Sequence, residues 1–225
     1  MKQIVKDTFV RSPLYPIYSK WKQKQELIDW EKKGRPVPPP HIEKQEVLKR
    51  YAKQYGLRTF VETGTYRGDM VEAMKNTFTH IYSVELGEDL YKRAKKRFRH
   101  HKHIKILLGD SGKVFKKLIP NLTTPTLFWL DGHYSGGSTA RGEKDSPIYE
   151  ELTHIFNSPD VGHVIIIDDA RCFSNPNYQG YPSLSDLEKF ILSACPDVYI
   201  SVENDSIRIL PGSITSKQTY SDAKL

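Results

Sequence analysis

The sequence predicts an α/β protein with a doubly wound, mostly parallel sheet, and three observations support this class. Short, almost wholly apolar runs alternate with segments whose apolar residues follow helical spacing. Near-continuous apolar runs are typical of strands that helices cover on both faces. The last two runs are separated only by Asn204-Asp205, which predicts a closing antiparallel hairpin.

Seven strands and the helices between them account for the chain from Leu57 onward. The predicted strands are 58–63, 80–86, 103–110, 126–131, 163–169, 198–203 and 206–211. The predicted helices are 68–78, 87–98, 111–119, 146–156 and 183–194. We therefore divide the chain into an N-terminal helical extension (1–56), a sheet domain (57–211) and a polar tail (212–225).

The extension contains a proline-rich strap, KKGRPVPPPH (32–41), which cannot be helical and is expected to run across a surface. A helix follows it over about 42–55. We expect the strap, together with Lys44 in the following helix, to pack near the mouth of the site. For Lys44 the alternative of a solvated helix residue is preferred.

Composition limits the classes of function. The net charge is +7 and the pI about 9.2, but the basic residues concentrate in the extension and in the helix around 90–103. Such a helix is more often a solvated face than a nucleic-acid surface, and no nucleic-acid-binding motif accompanies it. No apolar run reaches membrane-spanning length, and two cysteines form no disulfide framework. We expect a cytoplasmic protein without a membrane span.

Carboxylates follow each of the first five predicted strands. The strand ends carry Glu62, Glu85, Asp110 with Ser111, Asp131 with His133, and Asp168-Asp169. One acid at such a position is usually a helix cap, and this reading is strong for Asp110. Five in succession are harder to attribute to capping. Because ligands bind at the carboxyl ends of parallel strands, we predict a ligand site at this edge.

The first turn indicates the charge of the ligand. The stretch ETGTYRG is a glycine turn between strand and helix, which resembles a dinucleotide-binding loop. However, Glu62 lies beside the turn, where it would repel a pyrophosphate. A cationic ligand with a ribose is favoured instead, and S-adenosylmethionine has an ammonium, a sulfonium and a ribose.

At these residues the chain resembles the class I S-adenosylmethionine-dependent methyltransferases, over roughly residues 57–210. The resemblance implies a Rossmann-like methyltransferase sheet, with Glu62 under the amino-acid portion of the cofactor, Glu85 at the ribose hydroxyls and Asp110 at the adenine. Gly64 and Gly68 would let the backbone approach the cofactor. The implied cofactor-binding set is Glu62, Gly64, Thr65, Tyr66, Gly68, Glu85, Asp110, Ser111 and Asp131.

LDGHY and IIIDDA further resemble the metal-dependent sugar O-methyltransferases of the macrocin O-methyltransferase type. This resemblance implies that Asp131, Asp168 and Asp169 hold Mg²⁺ or a similar divalent cation. Three carboxylates suit such a hard cation. It also implies that His133 is the catalytic base beside Asp131, although the family has an acid at this position. An imidazole can accept a proton near neutral pH. A plain turn residue is the alternative reading of His133.

The predicted function is methyl transfer from S-adenosylmethionine to a hydroxyl of a sugar, polyol or other small molecule. Two alternatives stay open: an RNA or other nucleic-acid methyltransferase, which the basic extension suggests, and an oxygenase or NAD-dependent enzyme on the same type of sheet. The glycine-rich segment 134–145 is expected to form a lid over the site. Arg171 is either a substrate contact or a salt-bridge residue. A homo-oligomer is compatible with the sequence.

Overall fold

The computed structural model describes residues 15–132, 147–159, 161–174 and 180–212. Helix α1 (Tyr15–Lys32) precedes the strap, and helix α2 (His41–Gln54) follows it. Residues 33–40 of the strap are not helical, as predicted, whereas its two end residues, Lys32 and His41, belong to the flanking helices. Trp30 at the end of α1 is buried and its indole donates a 2.7 Å hydrogen bond to the carbonyl of Pro36.

Strands and helices then alternate in the predicted order. The elements are β1 (Thr59–Thr63), α3 (Asp69–Met74), β2 (His80–Glu85), α4 (Glu88–Arg97), β3 (Ile104–Leu108), α5 (Ser111–Leu118), a 3₁₀ turn (Ile119–Asn121), β4 (Thr126–Leu130), α6 (Ile148–Phe156), β5 (Val164–Ile167), a second 3₁₀ turn (Ala170–Ser174), α7 (Leu184–Ala194), β6 (Val198–Glu203) and β7 (Ser206–Pro211).

All seven strands form one sheet in the order β3-β2-β1-β4-β5-β7-β6. The first five strands are parallel, while β7 pairs antiparallel with both β5 and β6. The predicted α/β class and the closing hairpin are therefore confirmed. The sequence did not indicate that β7 enters the sheet between β5 and β6 and leaves β6 as the edge strand.

Helices cover both faces of the sheet, which explains why the central strands have so few polar residues. Every residue of β1, β4 and β5 is buried. On one face Phe128 and Ile165 pack with α5, α6 and α7. On the other, Phe60 and Ile166 pack with α2 and α3. Burial of one such side chain stabilises the fold by about 1.5–3 kcal/mol, so the core fixes the positions of the strand ends.

Candidate functional site

The candidate site lies along the carboxyl edge of the parallel strands. From the strand order, the predicted acids follow one another along this edge as Asp110, Glu85, Glu62, Asp131 and Asp168. The direction of winding reverses between β1 and β4, because β2 and β3 lie on one side and β4 and β5 on the other. Open α/β sheets bind their ligands at such a switch point. Glu62 and Asp131 stand on its two sides.

The turn after β1 approaches β4 so closely that only glycine fits at position 64. Gly64 has a φ of +86°, and a Cβ there would lie 2.6 Å from the carbonyl oxygen of Asp131. Gly68 has a φ of +77°, and a Cβ would lie 2.7 Å from the ring of Phe98. Both glycines are thus required by the packing of the turn itself. Their contact with a cofactor stays a prediction.

Glu62 is almost completely buried beneath this turn. Ser83 Oγ donates a 2.6 Å hydrogen bond to Glu62 Oε1, and Thr65 Oγ1 lies 2.5 Å from Ser83 Oγ. Burial raises the pKa of Glu62 to about 8, against the opposing effect of the Ser83 hydrogen bond. A cation beside Glu62 would favour its ionised form. The hydroxyl of Thr65 is engaged in this buried chain.

Glu85 fastens the two loops that flank it. Its Oε2 accepts a 2.7 Å hydrogen bond from the backbone amide of Tyr66, and its Oε1 accepts a 2.8 Å bond from that of Gly87. Each carboxylate oxygen can accept a further hydrogen bond. Glu85 therefore holds the turn that carries Tyr66 and keeps acceptor capacity for a ribose hydroxyl.

Asp110 has the capping role that the sequence allowed. Its Oδ1 accepts a 3.2 Å hydrogen bond from the backbone amide of Lys113 in the first turn of α5. Ser111, the first residue of that helix, is buried. A contact of either residue with an adenine stays a prediction.

Asp131, Asp168 and Asp169 come together at the ends of β4 and β5, and one carboxylate oxygen from each lies within 4.8 Å of the others. Asp168 is 2% exposed, and its Oδ1 makes no hydrogen bond of good geometry among the described residues, although the backbone amide of Asp169 lies near the carboxylate. Burial and the neighbouring Asp168 carboxylate raise the pKa of Asp131, while burial also raises the pKa of Asp168. An unpartnered buried oxygen among mutually repelling acids fits the binding of a divalent cation.

Lys44 reaches this acid cluster from helix α2. Its ammonium donates a short hydrogen bond to Asp168 Oδ2 and lies 3.6 Å from Asp169 Oδ1. Burial lowers the pKa of Lys44, but the interaction with Asp168 outweighs this effect and the net pKa is raised. The prediction of a solvated residue at position 44 is wrong. The sequence does not reveal that the Lys44 side chain lies near the sheet edge, because this depends on how α2 packs against the sheet.

The hairpin turn between β6 and β7 holds Asp169 in place through Arg171. Asp169 has a φ of +57°, a conformation that L-residues adopt rarely. Arg171 Nη1 donates a 2.9 Å hydrogen bond to Asp169 Oδ1 and a short one to Asp205 Oδ2 in the hairpin. The Asp205 carboxylate also accepts from the backbone amide of Arg171 at 2.9 Å. Arg171 is therefore a salt-bridge residue, and Asp205 is a supporting residue that local sequence patterns did not reveal.

On the opposite face of the sheet, Thr63 and Glu151 support the turn after β4. Thr63 Oγ1 accepts hydrogen bonds from the backbone amides of Asp131 (3.2 Å) and Gly132 (3.0 Å). Glu151 is fully buried behind this turn, and neither of its oxygens makes a hydrogen bond of good geometry among the described residues. Burial raises its pKa to about 7, against the effect of the nearby Ser111 and Thr63 hydroxyls. Glu151 belongs to the predicted helix 146–156, and no sequence pattern gave it a role in the site.

Two predicted features lie outside the described residues. They are His133, the candidate base, and the segment 134–145, the candidate lid. The described residues before this gap end at Gly132, two positions after β4 and immediately before His133.

The chain resembles known proteins in its fold rather than in its sequence. No protein-family model and no curated protein matches the chain. Three solved structures resemble it with a TM-score of 0.56 each: the O-methyltransferase TomG from Streptomyces achromogenes in complex with SAM, the SAH-bound methyltransferase PaMTH1 from Podospora anserina, and an O-methyltransferase from Bacillus cereus in complex with SAH.

Sequence identity to these three proteins is 15%, 14% and 14% in the same order. The matches cover 84%, 89% and 92% of this chain, and 88%, 96% and 96% of the other chains. At such identities the similarity establishes the fold. The chain has the class I fold of S-adenosylmethionine-dependent methyltransferases, as its strand ends predicted.

Proposed function

We propose that the protein is an S-adenosylmethionine-dependent O-methyltransferase whose acceptor is a sugar, a polyol or another small molecule with neighbouring hydroxyls. The observation that carries this proposal is the cluster of Asp131, Asp168 and Asp169, in which Asp168 is buried and the other two are half-buried, beside the glycine turn of a methyltransferase fold. Asp168 Oδ1 supports it, because a buried oxygen without a partner is costly unless a ligand completes it.

The cofactor would lie across the turn after β1. Glu62 faces its ammonium in this proposal, and the spare acceptor capacity of Glu85 serves the ribose hydroxyls. A buried acid at Glu62 also favours a cationic ligand over the pyrophosphate of NAD, because a nearby cation stabilises the ionised form of this carboxyl and a nearby anion opposes it.

The acid cluster would hold Mg²⁺ or a similar divalent cation through oxygens of Asp131, Asp168 and Asp169. A bound ion would supply Lewis acidity that lowers the pKa of an acceptor hydroxyl, and neighbouring hydroxyls of the acceptor would suit such an ion as oxygen ligands. Arg171 and Asp205 hold Asp169, and Thr63 holds the turn of Asp131, so that the cluster is preorganised.

The reaction is an in-line displacement at the methyl carbon. The acceptor oxygen forms a bond to that carbon as the bond to sulfur breaks, and the sulfonium becomes a neutral thioether. His133 takes the acceptor proton in this proposal. The chain contributes mainly by aligning donor and acceptor and by placing the base two positions after Asp131.

A nucleic-acid substrate is less well supported. Some basic residues of helix α4 form ion pairs with neighbouring acids. Lys92 Nζ lies 2.7 Å from Glu88 Oε1, and Arg97 Nη1 lies 2.8 Å from Asp69 Oδ1. A local ion pair leaves less charge for a phosphate backbone, from which most non-specific affinity derives.

Two measurements test the proposal. Calorimetric titration with S-adenosylhomocysteine should give a single binding site per chain. Transfer of a labelled methyl group to a panel of sugars and vicinal diols should be lost after dialysis against a chelator and return with Mg²⁺. Full activity in metal-free buffer would contradict the metal role, and absence of cofactor binding would contradict the proposed function itself.

A further inference from the structure

Lys44 contacts the acid cluster from helix α2, whereas the three acids themselves follow strands. Its side chain is only 16% exposed, and its ammonium lies 5.9 Å from the centre of the Trp129 ring. The hydrogen bond to Asp168 joins residues that are 124 positions apart. The lysine is thus held at the cluster by packing against β4 as well as by charge.

Lys44 and a divalent cation would compete for the same carboxylates. Asp168 gives Oδ2 to the lysine and keeps Oδ1 without a partner among the described residues. Lys44 also lies 3.6 Å from Asp169 Oδ1, the oxygen that Arg171 already contacts. Because Arg171 shares its charge with Asp205, Lys44 is the cation that most directly reduces the negative charge offered to an ion.

We infer that Lys44 is a tethered cation that weakens divalent-ion binding at the cluster of Asp131, Asp168 and Asp169. The inference rests on the metal role in the proposed function. Without an ion, Lys44 prevents the three acids from facing one another uncompensated. With an ion, it repels the added charge and lowers the affinity of the cluster for that ion.

The test is a titration of the full chain with Mn²⁺, in which the electron paramagnetic resonance signal measures the concentration of the free ion. Wild type is compared with Lys44→Met, which keeps the length of the side chain and removes its charge. Lys49→Met is the matched control, because Lys49 lies on the same helix and pairs with Glu46 at the surface. We expect Lys44→Met to bind Mn²⁺ at least tenfold more tightly, and Lys49→Met to stay within twofold of wild type.

A folded Lys44→Met variant with unchanged or weaker Mn²⁺ binding would overturn the inference and leave Lys44 a structural ion pair. If this variant does not fold, Lys44→Gln carries the same test, because it removes the charge and can still donate to Asp168. Absence of Mn²⁺ binding in every variant also overturns the inference. Titration of the same samples with S-adenosylhomocysteine then shows whether cofactor binding, the other half of the proposed function, still stands.

Discussion

At the scale of the residue, Glu62 combines two properties that are normally in conflict. It is 1% exposed, yet a carboxylate at this position is what a cationic cofactor needs. The pKa of about 8 means that the group is mostly neutral at pH 7 before any ligand binds. The Ser83 hydroxyl limits the rise of the pKa but does not cancel the effect of burial.

We therefore expect cofactor binding to depend on pH in a defined direction. In the proposed function the ligand ammonium binds the ionised form of Glu62, so affinity for S-adenosylhomocysteine should rise roughly tenfold per pH unit between pH 6 and 7 and level off above about pH 8. Calorimetry at several pH values measures this slope, and titrations at pH 7 in buffers of different ionisation enthalpy should show proton release.

Glu62→Gln provides the control for that prediction. It preserves the hydrogen-bonding shape and cannot ionise, so its affinity should be lower and nearly independent of pH. An equally steep pH dependence in the Gln variant would assign the titration to another group.

At the scale of the element, the β6–β7 hairpin does more than complete the sheet. Its turn places Asp205 against the segment that follows β5, where the backbone carbonyl of Asp205 accepts from Ala170 at 2.8 Å. The carboxylate of Asp205 holds both the amide and the guanidinium of Arg171. The hairpin therefore acts as a clamp on the positive-φ residue Asp169.

We predict that Asp205→Ala destabilises the protein by about 1–3 kcal/mol, because the part-buried amide and the guanidinium of Arg171 each lose an acceptor. Mn²⁺ affinity should also fall several-fold, since Arg171 is then free to neutralise Asp169 alone. Urea denaturation and the Mn²⁺ titration measure the two effects. Ser201→Ala, on strand β6, is the control. Unchanged unfolding and ion binding in Asp205→Ala would contradict the clamp.

The positions of the helices show where sequence patterns stop being informative. Apolar runs predicted the strands because burial on both faces leaves a local signature, and the acids at their ends followed directly from chain order. The contact between Lys44 and Asp168 left no such signature, since a lysine in a helix usually faces water. It depends on how α2 packs against β4. Likewise, nothing local indicates that Asp205 meets Arg171.

At the scale of the whole molecule, the strand order places the acids of the candidate site in two groups, one on each side of the switch point. Glu85 and Glu62 lie on the side of β2 and β1, where the cofactor is proposed, and Asp131 and Asp168 lie on the side of β4 and β5. Donor and acceptor would therefore meet at the switch point.

Among the helices that the structure describes, none is long and apolar enough to cross a membrane. Among the described residues, neither Cys172 nor Cys195 forms a disulfide bond.

A crystal structure of the protein with S-adenosylhomocysteine and Mn²⁺ tests this division most directly. We predict density for the cofactor over the turn after β1, with its ammonium at Glu62, and an anomalous Mn²⁺ peak within about 2.4 Å of an oxygen of Asp131, Asp168 and Asp169. A cofactor bound elsewhere, or a cluster that holds only the Lys44 ammonium at saturating Mn²⁺, would contradict the account.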